Sequence, residues 1–336
     1  MHTILVTGGL GFIGSHTVVA LQEQGYEVVI IDNLSNTRLS VLDGITAITG
    51  KKPIYYNIDL KEKVAITPVF KNHQIAGVIH FAASKAVGES VEKPLLYYQN
   101  NLTSLVNLLQ VMLENNCSNI IFSSSCTVYG QADALPITET APIKPAESPY
   151  GNTKQIGEEI LFDTTKVTAL KAIALRYFNP IGAHKSVLIG ELPLGVPQNL
   201  IPFVTQTAAG IRAELSVFGD DYPTIDGTAV RDYIHVVDLA KAHVKAVERL
   251  ITKKQNDAFE VFNVGTGKGS SVLEVIKAFE KASNTKLNYK IVGRRAGDIT
   301  SAYADTTKAN KVLGWKAHLS LEEALASAWE WQLKQE

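Results

Sequence analysis

The stretch Thr3-Ile-Leu-Val-Thr-Gly-Gly-Leu-Gly-Phe-Ile-Gly14 limits what this chain can fold into more than any other. It opens as an apolar, β-branched run, Thr3–Thr7, that reads as a buried strand. Glycines follow at Gly8, Gly11 and Gly14, and a helical pattern runs over Ser15–Gln24. Strand, glycine turn and helix in this order suit a dinucleotide. The glycines allow a tight turn, backbone approach to a pyrophosphate, and close packing of helix on strand. The helix start then offers free N–H groups and partial positive charge. The glycines alone would also fit an ordinary turn. The next segment favours the nucleotide: Glu27–Ile31 reads as a second strand and Asp32 closes it, 18 positions after Gly14. A carboxylate about 20 positions on pairs with ribose hydroxyls and repels a 2′-phosphate, which selects NAD over NADP.

With 336 residues the chain can build a large core and two lobes. Its 32 basic and 33 acidic residues leave a net charge of −1, with no basic block for nucleic acid or an anionic membrane. No apolar run reaches the roughly 18 residues of a membrane span. The first strand begins at once, leaving no room for a signal peptide. Cys117 and Cys126 form neither a disulfide framework nor a metal site by spacing. A cytoplasmic protein without a metal is the expectation.

Further along, a helical piece runs to about Ile48, and Pro53–Ile58 and Gly77–Phe81 read as strands three and four. Asp59 ends the third and either meets the adenine or caps a turn. Small residues Ala82 and Ala83 after the fourth suit close cofactor approach and also ordinary turns. Pro94 opens a helix over Leu95–Glu114, with Leu102, Leu105, Val106, Leu109 and Leu113 on an apolar face. Asn119–Ser123 and Lys171–Arg176 read as strands five and six. Alternating strands and helices imply an α/β, Rossmann-type doubly wound parallel sheet with helices on both faces. From Asn179 the texture changes to Gly- and Pro-rich loop, helices at Leu200–Arg212, Val236–Leu250, Ser271–Ala282 and Leu321–Leu333, and short strands at Ser216–Phe218, Val261–Val264 and Lys286–Ile291. This reads as a smaller mixed α/β lobe for substrate, 181–336 against a nucleotide domain 1–180, with a return to the first domain near 231–262.

Pro149-Tyr150-Gly-Asn-Thr-Lys154 places a phenol and an ammonium four residues apart, on one helix face. A phenol with pKa about 10 is a weak base at neutral pH, and lowering it three units requires about 4 kcal/mol. One ammonium about 4 Å away supplies about 4 kcal/mol at an effective dielectric near 20. Desolvation opposes the shift. Ser125, at a serine-rich strand end, can share the proton transfer.

These features together resemble the extended short-chain dehydrogenase/reductase superfamily and, within it, the UDP-glucose 4-epimerase family. The resemblance runs nearly end to end. It includes Val6–His16, Ile31–Leu34, Lys85–Val91, Phe122–Gly130, Arg176–Pro180, Phe218–Thr224, Val230–Val237 and Arg294–Asp298. It implies Tyr150 as base, Lys154 as its electrostatic partner and ribose ligand, and Ser125 as hydroxyl relay. It implies an NAD site at Gly8, Gly11, Phe12, Ile13, Gly14, Asp32, Asn33, Asp59, Leu60, Phe81, Ala82, Ala83, Lys85, Asn100, Tyr150, Lys154 and Phe178. It implies a UDP-sugar site at Ser125, Tyr150, Asn179, Asn199, Leu200, Ser216, Phe218, Arg231, Arg295, Asp298 and Ala302. Two arginines suit a diphosphate, and Phe218 suits a uracil face. The implied activity is C4 epimerisation of UDP-glucose and UDP-galactose through a 4-keto sugar, by a homodimer joined near Leu102–Glu114 and Tyr150–Leu161. Related dehydratases carry Asp–Glu where this chain has Cys126-Thr127, which disfavours loss of water. Ala302 stands where some relatives have tyrosine, so 2-acetamido sugars are expected to fit. A net oxidoreductase or dehydratase on the same scaffold and a non-catalytic NAD-dependent binding protein are the competing expectations.

Overall fold

The computed structural model describes residues 2–295 and 298–335. Ala296 and Gly297, inside the Arg294–Asp298 motif, lie outside the described residues. The first six strands are β1 Thr3–Thr7, β2 Glu27–Ile31, β3 Ile54–Tyr56, β4 Ile75–His80, β5 Asn119–Ser125 and β6 Lys171–Tyr177. Between them lie α1 Phe12–Glu23, α2 Ser40–Thr49, α3 Lys63–Asn72, α4 Val87–Glu92, α5 Pro94–Glu114 and α6 Pro149–Val167. The second half supplies β7 Asn179–Ile181, α7 Leu200–Ala208, β8 Leu215–Phe218, β9 Val230–Arg231, β10 Tyr233–His235, α8 Val236–Ile251 and β11 Phe259–Val264. It closes with β12 Ser270–Ser271, α9 Val272–Ser283, β13 Tyr289–Val292, β14 Ser301–Ala302 and α10 Leu321–Leu333.

Seven strands form one parallel sheet in the order β11-β6-β5-β4-β1-β2-β3. Successive β1 residues feed opposite faces, as strand geometry requires. Ile4 and Val6 join a core with α1 and α2 residues Val18, Val19, Leu42 and Ile45, and with α8 residues Leu239 and Val247. Leu5 joins a second core with Ile66 and Val69 of α3, Leu105 and Leu108 of α5, and Leu161 of α6. This is the doubly wound parallel sheet expected from the sequence. A third core gathers Ile201, Val204, Leu215, Val217, Val275, Phe279 and Leu325 from α7, β8, α9 and α10. Capping boxes fix the starts of α9 (Ser271/Glu274) and α10 (Ser320/Glu323).

Several elements differ from the sequence reading. β5 continues to Ser125, because Ser123, Ser124 and Ser125 all keep ladder partners in β6. β3 is shorter than Pro53–Ile58, and the helix from Leu200 stops at Ala208. Two α-helices are additional to that reading, α3, which carries Pro68 inside it, and the six-residue α4, as is a short π-helical turn over Ala309–Leu313. The Val261–Val264 segment belongs to β11 at the edge of the large sheet, where it pairs with β6.

The sheet order reverses between β1 and β4, and ligands of open α/β sheets bind at such a crevice. Gly8 turns there at φ +68°, and a Cβ on it would lie 2.8 Å from the Ala82 nitrogen. A Cβ on Gly14 would lie 2.2 Å from the Gly8 carbonyl oxygen. Helix and strand therefore touch backbone to backbone. Gly14→Ala should lower stability by about 1–3 kcal/mol, the usual overpacking cost. Thermal unfolding of the cofactor-free protein checks this, and an unchanged midpoint would show that the turn relaxes freely.

Candidate active site

The glycine turn and Asp32 converge as one unit. Asp32 is buried, and its two oxygens accept from the Leu10 N–H at 3.1 Å and the Leu34 N–H at 2.9 Å. Burial raises its pKa and these amides oppose the rise. Each oxygen keeps a further acceptor position, which fits a vicinal diol. Phe12 and Ile13 open α1; Ile13 packs on the core, while the Phe12 ring meets His16 edge-on at 5.4 Å. Across the turn, Asn33 donates to Asp59 at 3.2 Å. Leu60 instead points its side chain into the core between sheet and helices, and its carbonyl accepts from Asn107. Phe81, Ala82 and Ala83 follow β4, with the Phe81 ring 4.6 Å from His243. Asn100 donates to the Ser84 hydroxyl at 3.1 Å. Lys85 and Asn199 both donate to Glu191, at 3.3 and 2.7 Å.

The reactive groups come from β5 and α6. Ser148 caps α6, accepting from Gly151 N–H at 3.2 Å, and Pro149 takes the first turn. Tyr150 and Lys154 then share one face. Ser125 is buried at the end of β5, and its hydroxyl oxygen accepts from the Thr127 N–H at 3.2 Å. Lys154 is buried and donates to the Ser123 carbonyl at 2.6 Å. Its ammonium lies 5.0 Å from the Phe122 ring centroid and 5.7 Å from that of Tyr150.

The charge balance corrects one expectation. Burial pushes Tyr150 up to about 12, against the lowering influence of the Ser125 hydroxyl. Burial pushes Lys154 down to about 8, with Glu158 opposing. The lysine alone does not bring the phenol into the neutral range. It is turned onto the Ser123 carbonyl, and desolvation outweighs a charge at that separation. With one ammonium proton held by Ser123, Lys154 keeps two donors, a set that fits ribose hydroxyls beside a dinucleotide.

The substrate candidates fall into two groups. Arg231 and Arg295 converge on Asp298 Oδ1, at 3.2 and 3.0 Å. Phe218 is exposed beside them, its ring 5.8 Å from the Arg295 guanidinium, and Ser216 lies on the same strand, β8. Asn179 begins β7, and Phe178 and Ala302 are buried in one cluster with Val128 and Tyr129. The neighbouring Tyr303 faces the other way, toward Gly269. Asn199 stands just before α7, its side chain turned to Glu191 and making no cap to the helix, whereas Leu200 packs on the third core.

Sequence reasoning missed several residues. Asp232 is fully buried and accepts from the N–H groups of Thr266, Gly267 and Ala304 and from the Thr266 hydroxyl, tying three segments together. His80 pairs with Thr7 at 2.8 Å, and burial holds it down at about 3. Glu158 and Arg176 form a buried ion pair behind Ser124. Glu158 stands four residues after Lys154, a spacing that could have flagged it; Asp232 and His80 carry no such signal.

The profile of the family described as GDP-mannose 4,6 dehydratase matches residues 5–328. The UDP-glucose 4-epimerase of Bacillus subtilis (strain 168) is 52% identical over 330 residues, covering 98% of this chain and 96% of that protein. The chain belongs to the UDP-glucose 4-epimerase family. Two crystal structures of the family are close to it. The UDP-glucose-4-epimerase of Stenotrophomonas maltophila, with bound NAD and formylated UDP-arabinopyranose, superposes at TM-score 0.97 with 46% identity, covering 100% of this chain and 99% of its own. The UDP-glucose 4-epimerase of Bifidobacterium longum, in complex with NAD+ and UDP, gives TM-score 0.95 and 49% identity, covering 99% and 98%.

The pKa directions make a further expectation for this epimerase fold. In the cofactor-free protein Tyr150 should stay protonated well beyond pH 10. A 295 nm titration compared with Tyr150→Phe checks it, and a Tyr150 midpoint below 9 would contradict burial as the controlling influence.

Proposed function

We propose that this chain is an NAD-dependent isomerase that inverts C4 of UDP-glucose and UDP-galactose. The observation that carries the reading is the meeting of Ser125, Tyr150 and Lys154 at the end of β5, on the same carboxyl edge of the sheet as the glycine turn after β1 and Asp32 after β2. When bound, NAD supplies a reversible acceptor for the C4 hydrogen, so the centre passes through a 4-keto sugar with no net redox change. Tyr150 takes the proton of the 4′-hydroxyl and returns it to the same oxygen once the sugar has presented its other face. Ser125 donates to the same oxygen and shortens the proton's path. Lys154 would hold ribose hydroxyls and keeps positive charge beside Tyr150, to which a bound oxidised nicotinamide would add.

Arg231 and Arg295 hold the diphosphate, with Asp298 on the uridine ribose and Phe218 covering the base. Ser216, Asn199 and Leu200 complete the nucleotide end, while Phe178 and Asn179 flank the sugar. Anchoring the part that does not react leaves the sugar free to present either face. The two residues after Ser125 favour epimerisation over dehydration. Burial pushes the Cys126 thiol up to about 11, and the Thr127 hydroxyl is buried with no hydrogen-bond partner among the described residues, so neither matches a carboxylic acid–base pair. Ala302 shares a buried cluster with Phe178, and its small side chain, in place of the tyrosine of some relatives, supports UDP-N-acetylglucosamine and its galacto epimer as further substrates.

We assign nucleotide binding to residues 1–180 with the 231–262 return, and UDP-sugar binding to the rest. Exposed Leu95 and Val106 on α5 and Phe162 and Val167 on α6 support a homodimer through these helices. Two free cysteines support a reducing, cytoplasmic setting. No helix among the described residues is long and apolar enough to cross a membrane.

The test is incubation with UDP-galactose, with products identified by NMR. Interconversion with unchanged absorbance at 340 nm is expected, and net NADH release or loss of water would overturn the reading. Tyr150→Phe should cut turnover about 10²–10⁴-fold, the range for a general acid–base group, while UDP-sugar binding persists. Ala302→Tyr should abolish turnover of the acetamido sugars and spare UDP-galactose. Wild-type protein inactive on the acetamido sugars would remove them from the substrate class.

A further inference from the structure

Tyr150, Lys154 and Glu158 stand at i, i+4 and i+8 on α6, so the face that carries the proposed base also carries a carboxylate. Glu158 is buried, and the proposed mechanism gives it no part. It accepts from Arg176 Nε at 2.9 and 3.2 Å and also from Arg176 Nη2. The Ser124 hydroxyl donates to its Oε1. Ser124 lies between Ser123, whose carbonyl holds the Lys154 ammonium, and Ser125. One carboxylate thus ties α6 to β5 at the residue between the lysine's anchor and the proposed hydroxyl relay.

We propose that Glu158 is a positioning residue for this centre: through Ser124 it fixes the Ser123–Ser125 strand end, and its charge keeps the buried Lys154 an ammonium. The inference rests on the proposed epimerase function. The groups around Lys154 support it. β4 brings His80, stacked on Phe122 of β5 with ring centroids 6.2 Å apart. β6 brings Tyr177, hydrogen-bonded to the Ser123 hydroxyl, and Arg176. α5 brings Tyr97 and α6 brings Tyr150. Burial leaves His80 neutral, and it raises Tyr97, Tyr150 and Tyr177, so these four carry no charge at pH 7. Arg176 is committed to the carboxylate. Glu158 is the charge that opposes burial at Lys154.

Glu158→Gln keeps the side chain's size and removes its charge. In the NAD-loaded enzyme acting on UDP-galactose, the alkaline limb of kcat should move to lower pH by about one unit, the size of a neighbouring-charge effect. Linkage fixes the sign: the required form is the ammonium, its pKa falls when the anion goes, and activity is then lost at lower pH. NMR of lysine-labelled holoenzyme, assigned with Lys154→Arg, should show the Lys154 titration displaced the same way. A merely structural residue would lower kcat at every pH and leave both midpoints in place.

The double variant Glu158→Gln/Arg176→Met removes both charges and so avoids an unpaired buried arginine; it should shift both midpoints in the same direction. Ser124→Ala leaves the ion pair intact and should lower kcat several-fold with KM and the alkaline limb unchanged. Folded charge variants with wild-type midpoints would overturn the electrostatic role, and Ser124→Ala with wild-type kcat would overturn the positional one. A wild-type enzyme that does not interconvert UDP-sugars would sink the functional reading instead, while the NMR titration still judges Glu158.

Discussion

Lys154 carries its ammonium into a site where burial strips away its water, and the surrounding chain compensates at several points. The Ser123 carbonyl accepts at 2.6 Å, the Phe122 ring lies 5.0 Å beneath, and Glu158 waits one turn further along the same helix. A lone buried ammonium would shed its proton. Each compensating group is itself held elsewhere. Ser123 is fixed by the ladder to β6 and by Tyr177, and Glu158 by Arg176. The order of the sheet and the stagger of α6 against it therefore set the electrostatics of the centre.

Much of the frame is legible in the residues. Buried parallel strands are continuous apolar runs, and Thr3–Thr7 and Glu27–Ile31 have the observed ends. Capping residues and proline mark helix starts, so Leu321 and Pro94 fall where expected. The helices α3 and α4 are harder to read, one interrupted by Pro68 and the other only six residues long. The Tyr150/Lys154 face is legible because it is a matter of helical spacing. The direction of the Lys154 ammonium is not, because a carbonyl from another element sets it. Asp232 shows the same limit. Its partners lie more than 30 residues away in the chain, and no local pattern announces them.

One profile spans proteins described by different chemistries. A profile described for a 4,6 dehydratase matches nearly the whole chain, yet the proteins close to it in sequence and structure are 4-epimerases. Directly after Ser125 this chain has a short turn over Cys126–Tyr129 with no carboxylate in it. Fold alone leaves the chemistry open, and the side chains lining the crevice narrow it.

The large sheet is completed by β11, which reaches β6 only after the chain has passed through α7 and β8. During synthesis β6 must wait as an unpaired edge for more than 80 further residues, offering its backbone to any stray strand. The large sheet therefore cannot be completed ahead of the half of the chain that comes after β6. A chain cut after the sixth strand would emerge as a sticky fragment rather than a smaller working protein.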